Sequence, residues 1–237
     1  MNKLITLLIA GMLVLSLNSC EKVIGQGPVV TEERNVAAFT MIEAEFPGDV
    51  VLVQGANQMV KAQAQENIIN DLYTTVNNGI LKIKLRNGLR LTTGTSLKVY
   101  VTIPVIERIS LMGSGNVTAD QVNSPDMDIK LTGSGNLEIG NLEANTVYSE
   151  LTGSGNMSIA GGTTHDLKAR LTGSGDFKAQ NFSTVDAEVT LTGSGSATVR
   201  ASNTLKAVIS GSGNINYYGN PAVTQNITGS GRLKKKD

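Results

Sequence analysis

Side chains that could do chemistry are few and dispersed in this 237-residue chain. It has one cysteine, Cys20, and one histidine, His165, which adjoins Asp166. A histidine beside a carboxylate is the pairing used for general base catalysis. No nucleophile is identifiable to go with it, and a metal site would want a second histidine or a set of cysteines. His165 therefore reads as a solvated turn residue. Asp126, Asp128, Glu138, Glu150 and Asp176 would have to gather with basic groups on one outer face to serve a polysaccharide lyase or hydrolase. They fall instead in different columns of the repeat described below. Gly-Ser-Gly recurs along the C-terminal half, but no copy has the strand, loop, lysine and helix of a phosphate-binding loop. The nine-residue Gly/Asp repeat of calcium-binding β-rolls is absent too. No catalytic residue, metal ligand or cofactor is assigned, the ligand-binding residues stay undefined, and an enzyme is not expected.

Cys20 has a more specific context. Lys3 precedes an apolar run, Leu4 to Leu17, that is too short to span a bilayer and reads as a cleavable signal. The run ends in Leu17-Asn18-Ser19-Cys20, which resembles the lipobox of bacterial lipoproteins. That resemblance implies cleavage before Cys20 and acylation of its sulfur and new amino group. An ordinary secretory signal with a nearby cysteine is the alternative. The expected organisation is a lipoprotein signal peptide over residues 1–19 and a lipid-anchored tether over 20–34, carrying Gly25, Gly27 and Pro28. Several acyl chains would hold the protein to a membrane nearly irreversibly. The envelope of a bacterium, at the outer membrane, is the expected location, with the face left open. The chain has 20 basic and 20 acidic side chains, so charge gives no argument for nucleic acid. Aromatics are 4% and tryptophan is absent, so stacking platforms are scarce.

The elements that must position everything else come from the repeat. The first glycines of seven Gly-Ser-Gly copies are Gly113, Gly133, Gly153, Gly173, Gly193, Gly211 and Gly229. Their spacing is 20 residues, shortening to 18 in the last two intervals. Such a period marks stacked coils. Two residues before the glycine stand Leu111, Leu131, Leu151, Leu171, Leu191, Ile209 and Ile227. After the motif an Asn-rich column precedes Val117, Leu137, Met157, Phe177, Ala197 and Ile215. Alternation in steps of two is the strand period, with one face inward. Gly-Ser-Gly is then a corner between two strands, and stacked asparagines can bond along the axis. The expected fold is all-β: a single-stranded right-handed parallel β-helix with coils of about 20 residues, three short sides each, and an irregular N-terminal β region. The column of threonines before the glycine faces solvent; alone among mixed charges it is too narrow for an ice-binding array. Lys130, Glu150 and Arg170 alternate in sign, as do Lys168, Glu188 and Lys206. Opposite charges on neighbouring strands support the register.

Residues 35–104 carry strand signals without the clean repeat, with a short helix expected from Glu66 to Tyr73. Gly48-Asp49-Val50 echoes Gly115-Asn116-Val117, so this region is expected to supply the first coils or a cap. A separate antiparallel β domain is the competing arrangement. The repeat occupies 105–231, followed by a basic tail, 232–237. Its lysines read as protection of an open strand edge.

The lipobox, the strand Val99 to Ile103 ending at Pro104, the Gly-Ser-Gly-Asn/Asp series and the lysine-rich end together resemble the head GIN domain family. The resemblance covers about residues 35–236 and implies an envelope lipoprotein of adhesin type, without catalytic residues. The expected role is a binding module presenting a rigid β-helix face. Its partners would be the membrane, through the lipid, and a glycan or surface protein. A self-associating envelope scaffold is the alternative, and a polysaccharide-active enzyme trails both.

Overall fold

The computed structural model describes residues 21–92 and 96–237. Cys20 and the expected signal peptide lie outside the described residues. Among those described there is no α-helix, and the core is built from stacked strands. Asp126–Gly133 lies parallel to Thr146–Gly153, pairing Leu131 with Leu151 and Gly133 with Gly153. Beyond the corner, Asn136–Glu143 lies on Asn156–Ile159, pairing Leu137 with Met157. The inward columns from Leu111 to Ile209 and from Val117 to Ile215 are buried. Each such leucine contributes about 1.5–3 kcal/mol on burial. The inward Ser149 breaks the apolar column, and its hydroxyl bonds Met157 Sδ at 2.8 Å.

In the strand Asn116–Asn123 the alternation slips at Asp120 and Gln121, both exposed, and resumes with buried Val122. The chain bends there into a third side, whose inward residues include Val122, Leu142 and Phe182. The turn closing this side carries buried hydroxyls. Ser124 Oγ donates to Asp126 O at 2.9 Å, and Thr164 Oγ1 donates to Asn145 O at 3.0 Å. The shorter coil period is absorbed on this third side. Between Asp176–Gly193 and Ser196–Gly211 the register slips after Lys178 and again after Thr184, then returns with Ala187 opposite Leu205.

At each corner the first glycine has φ between 113° and 126°. That region is costly for any residue with a Cβ. The carbonyl of Gly113 accepts from both Ser134 N and Gly135 N at 3.0 Å, and the pattern recurs up the stack. Beside the corner the asparagines form the expected ladder. Asn116 Nδ2 donates to Asp49 Oδ1 at 2.8 Å, Asn136 to Asn116 at 2.9 Å and Asn156 to Asn136 at 3.1 Å.

The N-terminal region continues this stack. Met41–Glu45 pairs in parallel with Arg108–Gly113, and Asp49–Gln54 with Asn116–Asn123. Ile80–Leu85 and Leu97–Ile103 add a further parallel layer. The sheets then reverse: Leu72–Asn77, Met59–Gln65 and Val29–Glu33 add antiparallel strands. Within the span expected as a tether, Glu21–Val23 and Val29–Glu33 are strands. The helix expected at Glu66 to Tyr73 is only a 3₁₀ turn, Ile69–Asp71, running directly into a strand. Its isoleucines explain this: Ile68 and Ile69 are buried, plugging the end of the stack rather than lining one face of a helix.

The opposite end is open. Every residue of Ala222–Gly229 is exposed, including Val223 and Ile227 in the otherwise apolar columns. The last strand, Arg232–Lys235, pairs on one side only among the described residues. Charge on such an edge disfavours further strand addition.

Candidate functional site: a charged groove on one side of the coils

Outward residues of the strands leading into the corners form two neighbouring columns. Five residues before the glycine, parallel pairing sets Arg108 beside Asp128, Asp128 beside Tyr148, and Tyr148 beside Lys168. Glu188 and Lys206 continue that column. Three residues before the glycine, Glu150 lies between Lys130 and Arg170. The coil geometry thus brings residues about one period apart in sequence onto adjacent strands.

Two depressions meet at Asp128 and Tyr148. One, of about 440 Å³, is lined also by Lys130, Ser149, Glu150, Lys168 and Arg170. The other, of about 600 Å³, reaches Met41, Val105, Arg108, Pro125 and Asp126. Tyr148 stands between them, 48% exposed. Lys168 Nζ lies 5.7 Å from the centroid of its ring, within cation–π range.

The charges pair unevenly. Arg108 Nε donates to Asp128 Oδ2 at 2.7 Å, and Lys130 Nζ lies 3.6 Å from the same oxygen. Lys206 Nζ donates to Glu188 at 2.8 Å. That bond, opposed by partial desolvation, holds the Glu188 carboxyl below the ordinary glutamate range. Glu150 makes no ion pair among the described residues, although it shares register with two cations. The expected alternation therefore holds as strand register, but of those alternating charges only Glu188 and Lys206 close into a pair along the axis, and Arg108 with Asp128 closes a second one lower in the same column. Lys130 turns to Asp128 on its own strand.

Asp126, Asp128 and Glu150 occupy different columns, yet all three border these joined depressions. The expectation that the carboxylates are scattered is corrected for them, because alternate residues of one strand share a face. Glu138 lies instead on another side, near Asp49 and Asn116, and Asp176 continues the corner column. Tyr148 is the residue that sequence reasoning passed over. The available signal was an aromatic in an outward column of a chain poor in aromatics.

His165 is exposed, but it lies within the strand Gly162–Gly173 and not in the expected turn, with Nδ1 3.0 Å from Asp166 Oδ2. The stack also sets Asp186 beside Asp166, so that ligand atoms of all three residues lie within 4.8 Å of one another. Asp186 is already engaged by Thr204 Oγ1 and by Asn203 Nδ2 at 2.9 Å, the hydroxyl bond being the main cause of its lowered pKa. Its approach to Asp166 was missed because it comes from the next coil. The seven repeat glycines, Gly113 to Gly229, shape corners and contribute no side chain to the groove.

Comparison with known proteins agrees with this architecture. The family model described as "Putative auto-transporter adhesin, head GIN domain" matches residues 38–221. A "putative adhesin" from Bacteroides fragilis superposes with a TM-score of 0.86 at 22% identity, covering 90% of this chain and 100% of that one. A "putative lipid binding protein" from Parabacteroides distasonis gives 0.76 at 25% identity, covering 92% and 100%. A "putative adhesin" from Parabacteroides merdae gives 0.72 at 20%, covering 92% and 100%. A search of curated proteins finds no match. With its stacked coils and a family match across most of its length, the chain belongs to the head GIN domain family.

Proposed function

We propose that this protein is a lipid-anchored envelope module that binds its partner on the side of the coils, in the manner of an adhesin, without turning it over. The observation that carries this reading is the pair of joined depressions around Tyr148, set on parallel strands with a continuous apolar core behind them. A surface on packed strands is pre-organised, so little ordering entropy is lost on binding. The family description points the same way. Attachment through Cys20 would join the membrane to the plugged end of the stack, since Val29–Glu33 belongs to that end. The coils would then present their sides away from the anchor. A glycan or a surface protein fits a groove of mixed charge with one aromatic. The near-neutral chain gives nucleic acid no electrostatic footing.

One observation favours a second reading, a self-associating scaffold: the uncovered Val223 and Ile227 of the last coil. The adjoining Arg232, Lys234, Lys235 and Lys236 weigh against two copies meeting through that end.

The test has two parts. Cells expressing the full chain are labelled with a palmitate analogue, and label on the wild type but not on Cys20→Ala supports the anchor. The acylated protein is then screened against immobilised glycans and matrix proteins. Saturable binding supports the module; concentration-dependent oligomers with no external ligand would favour the scaffold.

A further inference from the structure

We infer that the groove around Tyr148 takes an acidic oligosaccharide, a pyranose chain bearing carboxylates; this rests on the binding-module reading above. The argument begins with which charges are already occupied. Asp128 is held by Arg108 at 2.7 Å, and Glu188 by Lys206 at 2.8 Å. Asp128 in the groove and Glu188, one strand beyond it, are thus engaged by cations farther out. Lys168 and Arg170 border Glu150, a carboxylate with no ion pair among the described residues, while Lys130 leans to Asp128 at 3.6 Å. The centre of the groove has more cation than its own carboxylates answer, although the whole chain is balanced.

Tyr148 adds the second requirement of a sugar site. Its ring is half-exposed between the depressions and presents an apolar surface against which the C–H face of a pyranose can stack. Lys168 already sits at that ring, so a carboxylate on a stacked sugar would meet its ammonium. Arg170, on the same strand, offers a planar fork suited to a second carboxylate. Glu150 remains to accept hydrogen bonds from ring hydroxyls. Neighbouring strands are ~4.8 Å apart and the Glu150 strand lies between those of Lys130 and Arg170, so a chain lying along the axis meets cations ~10 Å apart.

The test titrates the acylated protein, in neutral detergent micelles, with oligogalacturonate and with its fully methyl-esterified form, which keeps the rings and loses the charge. The inference expects binding of the acid form that weakens as salt rises, and about tenfold or greater loss on esterification. Tyr148→Ala and Arg170→Ala should each weaken it by about tenfold, while Tyr148→Phe keeps most of it. Lys178→Ala, outside the groove, should leave it unchanged, and unchanged melting temperatures confirm that the variants are folded. Equal binding of acid and ester overturns the inference, as does binding indifferent to both groove substitutions. Tyr148-dependent binding to phosphatidylglycerol vesicles but not to oligogalacturonate would assign the site to an anionic headgroup and overturn the glycan. Unsaturated chain ends appearing in the mixture would overturn binding without turnover. If the glycan and matrix screen also finds no ligand, the binding-module reading fails as well; if the screen finds a ligand that ignores the groove variants, only this inference fails.

Discussion

Tyr148 and Lys168 are twenty positions apart in sequence but in register on adjacent strands, with the ammonium 5.7 Å from the ring centroid. A stacked coil turns one period of sequence into one step of space. The same step that packs Leu131 on Leu151 inside sets Tyr148 beside Lys168 outside.

The inward columns should dominate stability. Leu151 is buried among the apolar residues of the stack. Leu151→Asp removes its contacts and places a charge in the core, so a loss above about 4 kcal/mol is expected, with little folded protein at ambient temperature. Lys130→Ala, on the surface, should stay within about 0.5 kcal/mol. Thermal melts followed by circular dichroism compare the two.

Within the stack the corner glycines, such as Gly133 and Gly135, have no room for a Cβ. A Cβ on Gly135 would lie 2.2 Å from the carbonyl oxygen of Gly115, and neither backbone can yield without disturbing the coils on each side. Gly135→Ala should therefore cost more than about 3 kcal/mol. Gly88 has φ +81° but nothing within 4 Å of its would-be Cβ. Gly88→Ala should cost only the left-handed strain, about 1–2 kcal/mol. Urea midpoints of the two variants distinguish crowding from strain.

The asparagine ladder predicts an asymmetric loss. Asn136 donates to Asn116 and accepts from Asn156. Asn136→Ala breaks both bonds and should cost about 1–3 kcal/mol. Asn136→Asp keeps an acceptor for Asn156 but sets two carbonyl-type oxygens against each other at Asn116. It should be destabilising at neutral pH and partly recover in acid, as its carboxyl protonates. Melting temperatures across pH read this directly.

Acid sensitivity should include a contribution from Glu188. Its carboxyl is held below the ordinary glutamate value by the Lys206 bond. The stabilisation is present above that ordinary value and is lost as pH falls through the lowered one. Because the pair is partly exposed, screening keeps it to a few tenths of a kcal/mol. Lys206→Ala should lower the melting temperature slightly at neutral pH, and the difference should close once Glu188 is protonated. A difference that persists there would show that Lys206 acts through packing of its stem instead.

The columns were legible in the sequence because a strict period leaves each position's role visible seven times. Leu151 and Asn136 could be placed without coordinates for that reason, and so could Asp49, whose Gly-Asp-Val repeats the later corner. What lacked a period could not be placed. The antiparallel strands Val29–Glu33 and Leu72–Asn77 have no copies with which to align. Ile68 and Ile69 resembled one turn of helix and act as a plug. Phe182 continues the inward column of Val122 and Leu142 at the twenty-residue step, but Gly162 interrupts the apolar pattern of that column. The groove needed two facts together: alternate residues of a strand share a face, and successive coils stack. The first joins Asp128 to Lys130, and the second joins Asp128 to Tyr148. Counting columns singly kept Asp126, Asp128 and Glu150 apart.

An adhesin-type role requires the groove to face the surroundings of the cell, and protease treatment of intact cells tests this most directly. A non-penetrating protease is applied, and the remaining protein is followed by an antibody against the coils and by the acyl label on Cys20. Loss of the coil domain, while a periplasmic control stays intact, is the predicted result. Full protection of the coils, with a surface control digested in the same cells, would contradict surface display and turn the account toward a scaffold inside the envelope.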